Sequence, residues 1–263
     1  MKKIFILLFL SMISLSIFAQ QDELNSLMKE RNEFYFSFEI DDMQDLNKVA
    51  KMISIDKIEG DKVIAYANNK SYDDFLSLGI ETTLLTPPSM LENHKMFDGR
   101  TRAEYDWDEY PTYEAYEAMM EEFAETYSEN CTLIELGTLN SGRKLLVVRI
   151  NNGETEGKPK FLYSSTIHGD ETTGYIMMLR LIETLLTQQD LPEVKNVLDN
   201  IDLFIAPNTN PDGTYHGGNH TVNGATRSNA YGVDMNRNYP DPIDGPHPDG
   251  EDYAYETELM MQF

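Results

Sequence analysis

The stretch Phe161-Leu-Tyr-Ser-Ser-Thr-Ile-His-Gly-Asp-Glu171 decides the fold of this sequence. Residues 161–167 are mostly apolar, as in a short buried strand, and residues 172–188 carry apolar side chains at helical intervals. The pattern predicts a buried strand that ends at His168 and a helix that begins directly after the stretch. In open α/β sheets ligands bind at the carboxyl ends of strands, and Gly169 is expected to let the chain turn tightly there.

His168 and Glu171 have the chemistry of metal ligands. A hydrolytic zinc ion takes three protein ligands, typically imidazole nitrogens and carboxylate oxygens, and keeps a fourth position for water. A His-x-x-Glu pair also occurs often by chance, so the pair alone describes ordinary polar residues equally well. The residues that follow it favour the metal interpretation.

Three motifs follow this pair in order, after the stretch 201–206, which predicts a strand. They are Asn208-Thr-Asn-Pro-Asp-Gly213, the arginine at 227, and Gly232-Val-Asp-Met-Asn-Arg-Asn-Tyr-Pro240. Together with His-Gly-Asp-Glu they resemble the zinc carboxypeptidases, single-zinc exopeptidases that remove C-terminal residues. The resemblance runs from about Tyr105 to the end of the sequence.

For the metal, the resemblance implies one zinc ion with His168 and Glu171 as two of its ligands. It also implies that Asp234 accepts a hydrogen bond from His168 and fixes the tautomer of that imidazole, an orienting role common around metal sites.

For the substrate, the resemblance implies that Arg227 polarises the scissile carbonyl and stabilises its oxyanion, and that Asn236 and Arg237 hold the free carboxylate of the peptide. The short spacing from Arg227 to Asn236 resembles the branch that includes regulatory and cell-surface carboxypeptidases. Asp170 stands where the digestive branch has an arginine that helps to bind substrate.

In the resembled family the third zinc ligand is a histidine on a later strand, beyond the helix predicted over 253–263, and the catalytic glutamate comes later still. The resemblance therefore implies that these 263 residues hold the N-terminal part of the catalytic domain, without the third ligand and the general base. Such a chain is expected to bind zinc weakly and to hydrolyse no peptide.

Residues 1–19 predict a secretory signal peptide. Lys2 and Lys3 precede an apolar run that is too short to span and remain in a membrane, and the sequence turns polar directly after Ala19. The predicted location is therefore secreted or periplasmic, without stable membrane insertion.

The charge of the chain excludes some partners. With 45 acidic against 21 basic residues the net charge is −24, so nucleic acids and anionic membrane surfaces are poor partners. The single cysteine, Cys131, allows no intrachain disulfide and is expected to be a small buried side chain.

A small α/β domain is predicted before the resemblance begins, over residues 20–88. Its predicted elements are the strands 34–40, 62–67 and 81–85 and the helices 42–53 and 71–78. The polar stretch 89–104 is predicted to be a linker, in which Arg100 or Arg102 is a possible cleavage point. The domain is either a removable prodomain, as the resemblance suggests, or an accessory domain that is never removed.

The second predicted domain spans residues 105–263. A helix over 113–127 should bury Tyr116, Met119, Met120, Phe123 and Tyr127 on one stripe, and strands 132–136 and 144–151 should form a hairpin. Arg143 follows the hairpin turn and either lines the cleft or caps the turn, with the turn favoured.

A long loop is predicted over residues 207–252, and loops of this length inside a compact domain are usually functional. It also carries His216, His220 and His247, each expected to be a solvent-facing loop residue. Its acidic end, 241–252, lacks the ordered ligand register of a calcium loop and is expected to be solvated.

These observations predict an α/β protein in which a small N-terminal α/β domain precedes a partial α/β/α domain with a mixed sheet. The resemblance implies a zinc metallocarboxypeptidase that acts on peptide or protein C-termini. Two alternatives stay open: another zinc amidohydrolase on the same scaffold, acting on cell-wall peptides or acyl-amino acids, and a non-catalytic carboxypeptidase-like binding module.

Overall fold

A computed structural model describes residues 21–40, 46, 48–99 and 105–263. The predicted signal peptide, 1–19, and both candidate cleavage residues, Arg100 and Arg102, lie outside these ranges. The chain divides into two compact units, Met1–Pro87 and Pro88–Phe263. Within the described ranges, no helix has the length and apolar character needed to cross a membrane.

The first unit is a four-stranded antiparallel sheet with the strand order β2-β3-β1-β4. Its elements are α1 (residues 21–31), β1 (Phe34–Glu39), β2 (Ser54–Glu59), β3 (Lys62–Ala67), α2 (Asn69–Leu76) and β4 (Thr82–Leu84). The α/β character predicted from the sequence is confirmed. Of the helix predicted over 42–53, residues 46, 48 and 49 are helical, and 42–45 and 47 lie outside the described residues.

The core of this unit is aromatic. Alternate residues of β1, Phe36 and Phe38, place their rings 5.3 and 4.8 Å from the ring of Phe75 on α2. The helix begins where the side chain of Asn68 accepts a hydrogen bond from the backbone of Ser71 at 2.8 Å. Strand β2 was not predicted, because it is a mostly exposed, charged strand whose pairing with β3 is irregular between Ile55 and Lys57.

The second unit is built on a mixed sheet with the order β7-β8-β10-β9, in which β9 and β10 are parallel and the other pairs antiparallel. Its elements are α3 (Pro88–Leu91), β5 (Met96–Phe97), β6 (Tyr110–Pro111), α4 (Tyr113–Thr126), β7 (Cys131–Thr138), β8 (Lys144–Ile150), β9 (Lys160–Ser164), α5 (Thr172–Thr187), α6 (Pro192–Asn200), β10 (Asp202–Ala206), α7 (Pro211–Thr214), a 3-10 turn (Met235–Arg237) and α8 (Tyr255–Gln262). The predicted mixed sheet is confirmed.

Helices cover both faces of this sheet. On one face α4 and α5 pack against β8 and β10 in a large core that includes Tyr116, Phe123 and Leu179. On the other face a smaller cluster contains Phe204, whose ring lies 5.4 Å from that of Phe263 at the end of α8. The arrangement is an α/β/α layering, as the sequence predicts.

Strand β9 differs from its prediction. It ends at Ser164, and Phe161, Leu162 and Tyr163 are 46%, 41% and 44% exposed, so the expectation of a buried strand through residue 167 is wrong. The reason is position: within the described sheet β9 pairs with β10 and lies at the edge. An apolar sequence does not reveal whether a strand has a neighbour on its second side.

The stretch 88–97, part of which was predicted to be linker, carries α3 and β5. We call these residues the strap. β5 pairs in parallel with β6, and the hydroxyl of Ser89 donates to the carbonyl of Ala225 at 2.7 Å. The strap is therefore ordered structure of the second unit. Cys131 is a buried free thiol, as expected, and burial raises its pKa to about 12.

Candidate metal and substrate site

The backbone after β9 places His168 at the carboxyl end of the parallel strand pair. Ser165 continues the sheet, since its N–H donates to the carbonyl of Ala206 at 3.0 Å. Thr166 then takes a φ of 57°, a left-handed conformation that is costly for a β-branched residue. This turn ends the strand before His168, and α5 begins after Glu171.

Gly169 is required here for close approach. A Cβ at this position would lie 2.3 Å from the carbonyl carbon of Gly213 and 2.4 Å from the nitrogen of Thr214. The expected tight turn at Gly169 is confirmed, since the N–H of Glu171 donates to the carbonyl of His168 at 3.1 Å. Glycine is needed there for close approach and not for a left-handed conformation, which Thr166 adopts instead. Gly169 lets the His168 corner contact the loop after β10 directly.

His168 lies between two carboxylates. Its Nδ1 is 2.9 Å from Oε1 of Glu171, and its Nε2 is 3.0 Å from Oδ1 of Asp234. The His168 side chain is 5% exposed, whereas the Glu171 side chain is 58% exposed. The three side chains meet although Asp234 is 66 residues from His168 in sequence.

The two carboxylates control the protonation of His168. Burial lowers the pKa of His168, but the hydrogen bonds to Asp234 and Glu171 outweigh burial and raise the pKa to about 9. The hydrogen bond from His168 lowers the pKa of Glu171 against the opposing effect of burial, and Arg227 lowers it further. The site therefore holds an imidazolium between two carboxylates in this state.

The donor set fits one side of a zinc site. Nδ1 of His168 and Oε1 of Glu171 face one another, and Asp234 holds the other imidazole nitrogen, as carboxylates do for metal-bound histidines. Within the described ranges, no group of three or more His, Cys, Asp and Glu side chains is arranged to hold an ion. Two protein donors are thus present, and the described residues supply no third.

Arg227 joins this cluster as a nearly buried cation. Its Nη1 donates to Oε1 of Glu171 at 3.3 Å, and its Nε lies 3.6 Å from Oδ2 of Asp234. The carbonyl of Arg227 accepts from the N–H of Gly169 at 3.2 Å. Four of the six residues singled out in the sequence, His168, Glu171, Arg227 and Asp234, are therefore brought together.

Asn236 and Arg237 occupy the 3-10 turn that follows Asp234. The side chain of Asp234 caps this turn by accepting from the N–H of Asn236 at 2.9 Å. Both side chains are exposed, and Nη1 of Arg237 donates to the carbonyl of Asn236 at 3.2 Å. His216, His220 and His247 are exposed loop residues.

Sequence reasoning did not assign a role to Asn210, which is fully buried. Its amide donates to the carbonyls of Ile167 and Arg227, both at 3.2 Å, and its side-chain oxygen accepts from the N–H of Gly213 at 2.9 Å. One side chain thereby fixes the backbone on both sides of the site. The signal in the sequence was an Asn directly before Pro at the start of α7, a typical helix cap.

Arg143 was expected to cap its turn, and that expectation is corrected. Its guanidinium donates to Asp212 at 2.8 Å, to Asn219 at 2.9 Å and to the carbonyl of Tyr215 at 2.9 Å. It therefore anchors the loop after β10 to the β7–β8 hairpin. These contacts span about seventy residues of sequence, so local patterns carry no signal for them.

The sequence is similar to known carboxypeptidases. Carboxypeptidase SOL1 of Arabidopsis thaliana is 33% identical over 135 residues, which is 50% of this chain and 26% of that protein. Carboxypeptidase M of Mus musculus is 34% identical over 135 residues, covering 49% of this chain and 30% of that protein. The matched part thus spans between a quarter and a third of these two relatives.

Solved structures show the same fold. Carboxypeptidase A from Helicoverpa armigera aligns with a TM-score of 0.58 at 20% identity, over 88% of this chain and 66% of that one. A family model described as zinc carboxypeptidase, Peptidase_M14, matches residues 116–259, which is more than half of the sequence. The chain therefore belongs to the zinc carboxypeptidase family.

Proposed function

We propose that the protein is a zinc-dependent metallocarboxypeptidase that hydrolyses the C-terminal peptide bond of peptides or proteins. The observation that carries the proposal is the pair formed by Nδ1 of His168 and Oε1 of Glu171, with Asp234 on the second imidazole nitrogen. Family membership supports it.

His168 and Glu171 would hold the zinc ion. Bound zinc lowers the pKa of a water molecule towards about 7 and polarises a carbonyl group. Asp234 keeps the proton on Nε2, so that Nδ1 of His168 presents its lone pair to the ion. His168 must release one proton before it can serve as a ligand, because its pKa of about 9 keeps both imidazole nitrogens protonated at neutral pH.

Arg227 would stabilise the oxyanion that develops on the scissile carbonyl. Its guanidinium is already placed against Glu171 and Asp234 and is 10% exposed, so its charge acts in a region of low water content. The contact with Glu171 is a single long hydrogen bond of 3.3 Å, which a substrate oxygen can replace.

Asn236 and Arg237 would bind the free carboxylate of the substrate. Their side chains are exposed on a turn whose cap, Asp234, also touches His168, so the clamp is held in register with the metal ligands. A guanidinium pairs with a carboxylate through two parallel hydrogen bonds, and this pairing would select a free C-terminus.

We further propose that residues 1–19 direct export to a secreted or periplasmic location. Their basic start and apolar run are the support. The first unit would then be a prodomain or an accessory domain of the exported enzyme.

Zinc affinity tests the ligand pair. We expect His168→Ala and Glu171→Ala each to weaken zinc binding at least about tenfold, measured by competition with a chromophoric chelator. His220→Ala is the matched control, because His220 is an exposed histidine of the same unit. Loss of binding in the His220 variant with full binding in the His168 variant would place the site elsewhere.

Peptide affinity tests the clamp. Arg237→Ala should leave zinc affinity unchanged and weaken binding of a free-acid peptide by about 2 to 5 kcal/mol, as loss of a desolvated charge pair does. Amidation of the peptide should have a similar effect on the unaltered chain. Equal affinity for free-acid and amidated peptides would exclude the exopeptidase and favour the amidohydrolase or the binding module.

A further inference from the structure

The strap, residues 88–97, is hydrogen-bonded to the loop after β10. The N–H of Gly224 donates to the carbonyl of Ser89 at 2.8 Å, and the N–H of His94 donates to the side chain of Asn223 at 2.9 Å. With the hydrogen bond from Ser89 to Ala225, these contacts hold the strap beside the loop that carries Arg227.

The far end of the strap is part of the core. Tyr110 and Thr112 donate backbone hydrogen bonds to Lys95 and Phe97 at 2.9 and 2.7 Å. Met96 and Phe97 pack against the large core of the second unit, and the Phe97 ring lies 5.1 Å from that of Tyr105. The strap is therefore fixed at both ends, and its middle residues have a defined place.

Two of these middle residues, Glu92 and His94, line a cavity of about 510 Å³. The other lining residues are Tyr110, Ser165, Thr166 and residues 170–174. Glu171, the proposed zinc ligand, belongs to this lining, whereas Asn236 and Arg237 do not. The cavity thus opens beside Glu171, and neither residue of the carboxylate clamp lines it.

His94 contacts two other residues of the lining, Glu92 and Tyr110. Its Nε2 lies 2.8 Å from Oε2 of Glu92, and its ring meets that of Tyr110 edge to face at 4.6 Å. The His94 side chain is 23% exposed and the Glu92 side chain is 58% exposed. The carboxylate of Glu92 is therefore accessible, whereas His94 is mostly buried. His94 holds Glu92 in this lining.

The charge of the lining is negative. Glu92, Asp170 and Glu171 contribute carboxylates, Ser165, Thr166, Thr172 and Thr173 contribute hydroxyls, and the described lining includes no lysine or arginine. A cationic side chain of about five to seven heavy atoms fits both the volume and the charge.

We propose that Glu92 and His94 form a substrate subsite that selects a lysine or arginine side chain of the peptide. The subsite rests on the proposed function. Since the cavity shares Glu171 with the metal site but none of the clamp residues, it receives a residue that precedes the scissile bond. Glu92 contacts the cation, and His94 positions Glu92.

A lysine scan tests this subsite. Dansyl pentapeptides carry one lysine at each of the three positions before the C-terminal residue, and matched peptides carry glutamine or glutamate there. Their dissociation constants are measured by fluorescence anisotropy on the zinc-loaded chain at 0.15 M salt, where distant charges are largely screened. At one position lysine should bind about tenfold more tightly than glutamate, with glutamine between them.

Two variants distinguish a direct contact between Glu92 and the peptide from general electrostatic attraction by an acidic protein. Glu92→Gln should reduce the lysine preference to about threefold or less, and should leave the fold intact because the Glu92 side chain is exposed. Glu193→Gln, which removes an equal charge from the exposed start of α6, should keep the tenfold preference. A preference that survives Glu92→Gln, or that Glu193→Gln reduces equally, overturns the subsite.

Amidated peptides distinguish this result from failure of the proposed function. Loss of affinity on amidation without any lysine preference refutes the subsite and leaves the carboxypeptidase proposal standing. A Glu92-dependent lysine preference without an effect of amidation refutes the exopeptidase assignment alone. Absence of binding to every peptide overturns both.

Discussion

Strands β9 and β10 are parallel neighbours with similar apolar sequences, Lys160-Phe-Leu-Tyr-Ser164 and Asp202-Leu-Phe-Ile-Ala206, and opposite surroundings. Every residue of β10 is buried, and every residue of β9 is exposed. β10 lies between β8 and β9, whereas β9 lies at the edge of the described sheet. The burial of each strand is therefore set by the strands beside it in the sheet. The position of β9 matters because the chain turns directly after it, at the corner that carries His168.

The largest expected difference between the strands is in stability. Leu203→Ala on β10 removes a side chain that is 4% exposed and should lower the free energy of unfolding by about 2 to 5 kcal/mol. Leu162→Ala on β9 removes one that is 41% exposed and should cost less than about 1 kcal/mol. Urea unfolding followed by fluorescence of the single tryptophan, Trp107, measures both. Equal losses would show that β9 is as buried in solution as β10.

A smaller change in the free energy of unfolding is expected from the corner after β9, and this change depends on pH. In the zinc-free chain the pKa of His168 is raised from 6.5 to about 9, so the folded state keeps a proton that the unfolded chain releases. The resulting stability is present in full below pH 6.5 and is lost as the pH rises through 9. The loss should reach about 3 to 4 kcal/mol at most, since one pKa unit corresponds to about 1.4 kcal/mol.

Unfolding of the zinc-free chain at pH 6 and pH 9 measures this loss. His168→Gln should remove most of the pH dependence, whereas the exposed control His220→Gln should retain it. An unchanged pH dependence in His168→Gln would show that the carboxylates around His168 do not hold a proton on it in solution.

The smallest expected effect concerns the threonines that follow the two strands, both 5% exposed. Thr166→Asn should raise the free energy of unfolding by about 0.5 to 1 kcal/mol, because asparagine tolerates the left-handed conformation that Thr166 adopts at a φ of 57°. Thr209→Asn should lower it by about 1 kcal/mol, since the hydroxyl of Thr209 donates to Ser165 at 3.0 Å. The same unfolding assay compares them, and stabilisation by both would argue against strain at Thr166.

Local sequence patterns predicted the helices and strands that depend on residues close together in the chain. The stripe Tyr116, Met119, Met120 and Phe123 identified α4, and the apolar run of β10 identified a strand. They failed for β9 and for the strap, because exposure at a sheet edge and hydrogen bonding to residues 223–225 depend on distant parts of the chain.

The residues of the candidate site also fall into those that local spacing predicts and those that it does not. His168 and Glu171 are three residues apart at a strand end, so their convergence follows from the sequence. Asp234 and Arg227 were placed beside them by family resemblance, since no spacing rule joins residues so far apart. Asn210 was missed because its hydrogen bonds go to backbone atoms, which every residue type offers.

The anchor at Arg143 also limits how this sequence can diverge. Three separate acceptors, Asp212, Asn219 and the carbonyl of Tyr215, share one guanidinium, and a lysine could not reach them with the same planar fork. Relatives are therefore expected to keep positions 143, 212 and 219 as a set or to exchange them together. Insertions should accumulate instead in the exposed stretch around Ile243, which is 92% exposed.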